Sequence, residues 1–123
     1  MSKQTIELHC SRRMCDLLVD ILRQYTNAAY PKGGSECSQS ARESLLMSVE
    51  QMLEAWDSDS GTTHISRRLR VPLKSAIGFY VQQLAEDEAL STKHRQAFLL
   101  SVLKGEVIDD DGYHAALQRD LSA

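Results

Sequence analysis

Residues 5 to 9 alternate, with Ile6 and Leu8 apolar between polar Thr5, Glu7 and His9. That is the period of a half-buried strand. From Arg12 the period changes. Met14, Leu17, Leu18, Ile21, Leu22 and Tyr25 recur at helical spacing, with Asp16, Asp20, Arg23 and Gln24 opposite. Cys15 and Val19 widen the apolar stripe, so the helix is expected to lie deep in the core, with Ser11 as its N-cap.

Pro31, Gly33 and Gly34 mark residues 27 to 38 as a loop. Ser40 and Glu43 have the spacing of a capping box, and Leu45, Val49, Met52, Leu53 and Trp56 form the stripe of a second helix. The polar segment Asp57 to Gly61 ends it. Residues 64 to 71 read equally as a helical turn or a short strand. Pro72 suits the first turn of a third helix carrying Leu73, Ala76, Ile77, Tyr80, Val81 and Leu84. Gly78 inside it predicts a close helix crossing to offset a cost of about 1 kcal/mol relative to alanine.

Ser91 is the expected cap of a fourth helix with Phe98, Leu99, Val102 and Leu103, stopping at Gly105. Val107 and Ile108 form an extended link. Asp109 to Asp111 precede a last helix bearing Tyr113, Ala116, Leu117 and Leu121. The fold class expected is mainly α, about five helices around one core with a short N-terminal β-strand. Residues 1–123 make a single α-rich domain, with a strand-helix-helix unit over 5–57 and a helical C-terminal half over 64–122.

With 42% hydrophobic and 25% charged residues, the composition is that of a globular chain, not a disordered one. The net charge of -3 carries no global signature of nucleic-acid binding, although charge can be segregated locally. No apolar run approaches the ~20 residues that span a bilayer. The first residues lack a basic-then-apolar leader pattern. A cytoplasmic protein without a membrane partner is expected. Cys10, Cys15 and Cys37 agree, being odd in number and without a Cys-x-x-Cys.

Little in the chain points to catalysis. His9, Cys10, Cys15 and Cys37 are ligand types for zinc, but four residues separate Cys10 from Cys15 and no second pair matches. Asp109, Asp110 and Asp111 are consecutive rather than alternating, so they read as helix-capping acids, not a calcium loop. No nucleophile elbow or glycine-rich phosphate loop occurs. No metal, no cofactor and no enzymatic activity are expected.

The sharpest local feature is basic. Arg67, Arg68, Arg70 and Lys74 fall within residues 64–74 with no acid among them. Arginines in such a run grip carboxylates, phosphates or an acidic protein partner. The ordinary alternative is a solvated face paired with the chain's own acids, Glu86 to Glu88. On a strand, Arg68 and Arg70 would project to the same side.

Residues 5 to 55 resemble a ribbon-helix-helix DNA-binding unit. Residues 5–9 stand as its strand, Ser11 to Tyr25 as its first helix and Ser40 to Ala55 as its second. Ser38, Gln39, Ser40, Ala41 and Arg42 resemble the opening of that second helix. The resemblance implies a homodimer with paired strands, and Thr5, Glu7 and His9 facing the DNA major groove. Glu7 departs from that role, and residues 1–55 hold six Lys or Arg against seven Asp or Glu. The leading expectation is therefore a small non-enzymatic regulatory protein acting by protein–protein contact, as an inhibitor, anti-activator or adaptor. The alternative is a dimeric ribbon-helix-helix-like transcriptional regulator that binds DNA.

Overall fold

The computed structural model describes residues 4–88 and 90–122. The element order is β1 (Thr5–His9), α1 (Arg12–Ala29), α2 (Glu36–Ala55), β2 (Thr62–Ser66), a 3₁₀ turn (Arg67–Leu69), α3 (Arg70–Glu88), α4 (Lys93–Leu100), a second 3₁₀ turn (Ser101–Lys104) and α5 (Asp110–Ser122). The fold is mainly α, with five helices and a two-stranded sheet that begins near the N-terminus.

β1 and β2 run antiparallel, with Ile6 opposite Ile65, Glu7 opposite His64 and Leu8 opposite Thr63. Alternation sends Leu8, Thr63 and Ile65 into the core and leaves Glu7 and His64 outside. The Thr63 hydroxyl donates to the Met52 carbonyl at 2.6 Å, which satisfies a buried polar group and ties β2 to α2.

Leu18, Ile21 and Leu22 of α1 meet Leu73, Ala76 and Ile77 of α3, Val49 and Met52 of α2, and Leu99 and Val102 beyond them in one continuous core. Ile108 joins this core through a bridge to Cys10. The Ser11 hydroxyl accepts from the Met14 N–H and donates to Asp110 at 2.6 Å, so one cap residue starts α1 and ties it to α5.

Several sequence expectations need correction. The expected loop over residues 27–38 is shorter, because α1 continues through Asn27 to Ala29 and α2 begins at Glu36. Ser35, not Ser40, caps α2, its hydroxyl accepting from the Ser38 N–H. Ser40 sits one turn inside that helix. Residues 64–71 are neither strand nor helix alone: β2 ends at Ser66 and the 3₁₀ turn follows at once.

Gly78 meets no crossing partner, since a methyl group there would touch nothing within 4 Å. The close approach lies instead at Gly112, where a Cβ would stand 2.5 Å from the Phe98 ring. The Ser91 hydroxyl reaches only the Lys93 N–H, at 3.4 Å. The next two N–H groups of α4, those of His94 and Arg95, are capped from a distance by the Asp120 carboxylate.

Candidate functional site

The basic run is split between two helical elements. Arg67 and Arg68 lie in the 3₁₀ turn, Arg70 opens α3 and Lys74 follows one turn later. All four are exposed, while Leu69 and Leu73 between them are buried and anchor the segment. The strand geometry that would align Arg68 with Arg70 is absent here. Helical spacing pairs Arg70 with Lys74 instead.

The expected self-pairing with Glu86 to Glu88 does not form among the described residues. Glu88 pairs with Arg95, whereas Arg12, Arg13 and Arg23 pair with other acids of the chain. No ion pair involves Arg67, Arg68, Arg70 or Lys74 among the described residues. Between Asp59 and Glu86 the sequence contains no acid at all, so these cations are not neutralised from their own segment.

Arg70 and Lys74 also line a groove of 530 Å³ between the start of α3 and the α4 end. Val71, Ala97, Leu100 and Leu103 supply its apolar surface, and Lys104 adds a third cation from the second 3₁₀ turn. Val71 is 71% exposed, so the groove opens onto apolar surface that water covers in the free chain. No Asp or Glu lines the groove. Sequence reasoning found Arg70 and Lys74 but missed Lys104. The signal for it was slight: Leu100, Leu103 and Lys104 share the i, i+3, i+4 spacing of one helix face.

The residues expected to face DNA lie together on the outer surface of the sheet. Thr5 and Glu7 are exposed and His9 is half-buried. The Glu7 carboxylate stands between two imidazoles, 3.1 Å from His9 Nε2 and 3.4 Å from His64 Nε2. His64 was not part of the sequence-level set, and only the β1–β2 register brings it to Glu7.

A second polar cluster is buried and structural. The Arg95 guanidinium donates to Asp120 at 2.8 Å and to Glu88 at 3.2 Å, with Arg95 2% and Asp120 1% exposed. Burial alone would raise the Asp120 pKa. The Arg95 guanidinium and the two α4 N–H groups outweigh it and hold the carboxyl below its ordinary value. This arrangement joins α5 to α4.

Cys10 and Cys15 are both buried, and Cys37 is exposed. The hydrogen bond to Cys15, together with burial, pushes the Cys10 thiol up, which disfavours a nucleophilic thiolate there. Among the described residues, no group of three His, Cys, Asp or Glu side chains is arranged to hold a metal ion. No described helix is long and apolar enough to cross a membrane.

No family model matches the chain, and no curated protein or solved structure is detectably similar to it.

Proposed function

We propose that this protein is a small regulatory protein without enzymatic activity, acting by protein–protein contact as an inhibitor, anti-activator or adaptor. Arg67, Arg68, Arg70 and Lys74 form its partner-binding surface. The observation that carries this reading is that all four cations are exposed and none forms an ion pair among the described residues, on a chain of net charge -3. Held on a 3₁₀ turn and the first turns of α3, anchored by Leu69 and Leu73, they are positioned side chains rather than a flexible tail. Their neighbours include exposed apolar surface at Val71, which a protein partner can cover and a phosphate backbone cannot.

The test is Arg68→Glu combined with Arg70→Glu. The partner is recovered from the native host with the wild-type protein, purified and titrated against both forms by calorimetry. The double variant is expected to keep its helical circular dichroism and to lose roughly tenfold or more in affinity, as charge reversal in an interface does. Unchanged affinity would sink the reading.

A second reading is a homodimer that binds DNA through Thr5, Glu7 and His9. The specific observation in its favour is that Thr5, Glu7 and His9 share one outward sheet face, the first two exposed and the third half-buried. Against it, the carboxylate at its centre repels phosphate. Duplex binding that falls steeply with salt, and that is lost in Thr5→Glu, would move this reading to first place.

A further inference from the structure

We infer that the groove between α3 and α4 docks an acidic amphipathic helix of the partner protein. This rests on the protein-contact reading above and names the chemistry of the segment recognised. Two features of the groove point the same way. Its lining is aliphatic at Val71, Leu100 and Leu103, and its cations come from two elements, Arg70 and Lys74 from α3 and Lys104 from the second 3₁₀ turn. An occupant that matches this lining presents apolar side chains with carboxylates beside them. An amphipathic helix with apolar residues at i, i+3, i+4 and i+7 and Asp or Glu beside them has that cross-section.

Arg70 and Lys74 are one helical turn apart, so carboxylates one turn apart on the incoming helix meet both. Nucleic acid fits less well, because a phosphate backbone offers nothing to cover Val71. An anionic membrane fits less well too, because a bilayer needs a protruding apolar face and this one is concave. The groove is also unlike an enclosed small-molecule cavity: Val71, Ala97 and Lys104 all remain exposed at its mouth.

A hollow between α1 and α5 has the opposite balance among the described residues: Asp16, Asp20 and Asp110 outnumber Arg13, beside His114 and the apolar Met14, Leu17 and Leu117. A second copy offering that face is the competing occupant, and the experiment below separates it.

The full chain is titrated, by fluorescence anisotropy, against a labelled synthetic helix with leucines at the anchor positions and glutamates on both flanks. Controls are the same helix with serine for leucine, the same helix with lysine for glutamate, a DNA duplex, and phosphatidylserine vesicles. The leucine–glutamate helix is expected to bind, and each altered helix to bind at least about tenfold more weakly. Ala97→Asp with Lys104→Glu changes exposed groove positions outside the basic run. It is expected to keep the fold and weaken the helix about tenfold as well. Absent binding, equal binding of the serine helix, or preference for DNA or vesicles would each overturn the proposal. So would a concentration-dependent oligomer, seen by sedimentation, that the Ala97→Asp/Lys104→Glu variant disperses. If that variant still binds the purified physiological partner while Arg68→Glu/Arg70→Glu does not, the groove proposal fails and the protein-contact reading survives.

Discussion

At the scale of single residues, Asp120 shows how one buried side chain serves several groups. Its two oxygens take the His94 and Arg95 N–H groups at the start of α4 and the Arg95 guanidinium as well. Replacing it by alanine uncaps a helix and leaves Arg95 buried with only Glu88 as an ionic partner. Asp120→Ala is therefore expected to cost about 3–5 kcal/mol in urea unfolding. The effect has a definite pH dependence. Asp120 titrates lower in the folded chain than in the unfolded one. Its contribution is complete above the unfolded carboxyl value and is lost as pH falls through the folded one. Stability curves of wild type and variant should converge in acid and separate towards neutral pH. A constant gap would show that the carboxylate's charge is immaterial. In the apolar core, Leu18 and Ile77 are fully buried, and Leu18→Ala or Ile77→Ala should each cost about 2–5 kcal/mol. A loss under about half a kcal/mol would mean that the assigned core face is wrong.

At the scale of elements, the two helical glycines make opposite predictions. Gly112 lies against the Phe98 ring, so Gly112→Ala must push α5 away from α4 or turn the ring. A loss of about 1–3 kcal/mol is expected in thermal or urea unfolding. Gly78 has open space, so Gly78→Ala is expected to stabilise by up to about 1 kcal/mol through helix propensity alone. The sequence pointed to Gly78 because a glycine inside a long apolar stripe suggests a crossing. Gly112 was invisible, because it sits among acids that already explained a helix start. The same contrast governs legibility more widely. The stripes of α1 and α3 are long and periodic, and they place the core correctly. β2 was legible only as one of two alternatives, because Thr62 to Ser66 has a single strongly apolar residue, Ile65, and gains its strand state from pairing with β1. The start of α2 was misplaced because two serines, Ser35 and Ser40, both offer a cap. Only the three-dimensional course of the turn through Gly33, at φ +85°, selects Ser35. Half of the groove was legible for a related reason: Arg70 and Lys74 are neighbours in sequence, whereas Lys104 reaches them only through the packing of α4 on α3.

At the scale of the whole molecule, the open question is whether β1 pairs with a second copy. The register settles which of its backbone groups are free to do so. Cys10 donates to Gly61 and Arg67 donates to Gln4, so the even-numbered residues of this segment point their N–H and C=O groups towards β2. The odd-numbered ones point to the outer edge. There the His9 carbonyl accepts from Ile108, while Thr5 and Glu7 have no backbone partner among the described residues. A strand-paired homodimer would therefore have to form through Thr5 and Glu7, with the β1–β2 ladder kept intact. This distinguishes two proline variants that a strand-first reading would treat alike. Ile6 faces Ile65 within the chain, so Ile6→Pro removes an internal ladder bond and is expected to destabilise the monomer itself. Glu7→Pro removes only an outward N–H, a position where an edge strand tolerates proline. If the homodimer forms through this edge, sedimentation equilibrium should show a wild-type dimer, a folded Glu7→Pro monomer and a Glu7→Ala dimer. A wild-type chain that sediments as a monomer would remove the paired ribbon and, with it, the ribbon-helix-helix mode of DNA binding. The proposed contact surface, which follows directly on β2, would be untouched by that result, because Arg67 to Lys74 all lie on one chain.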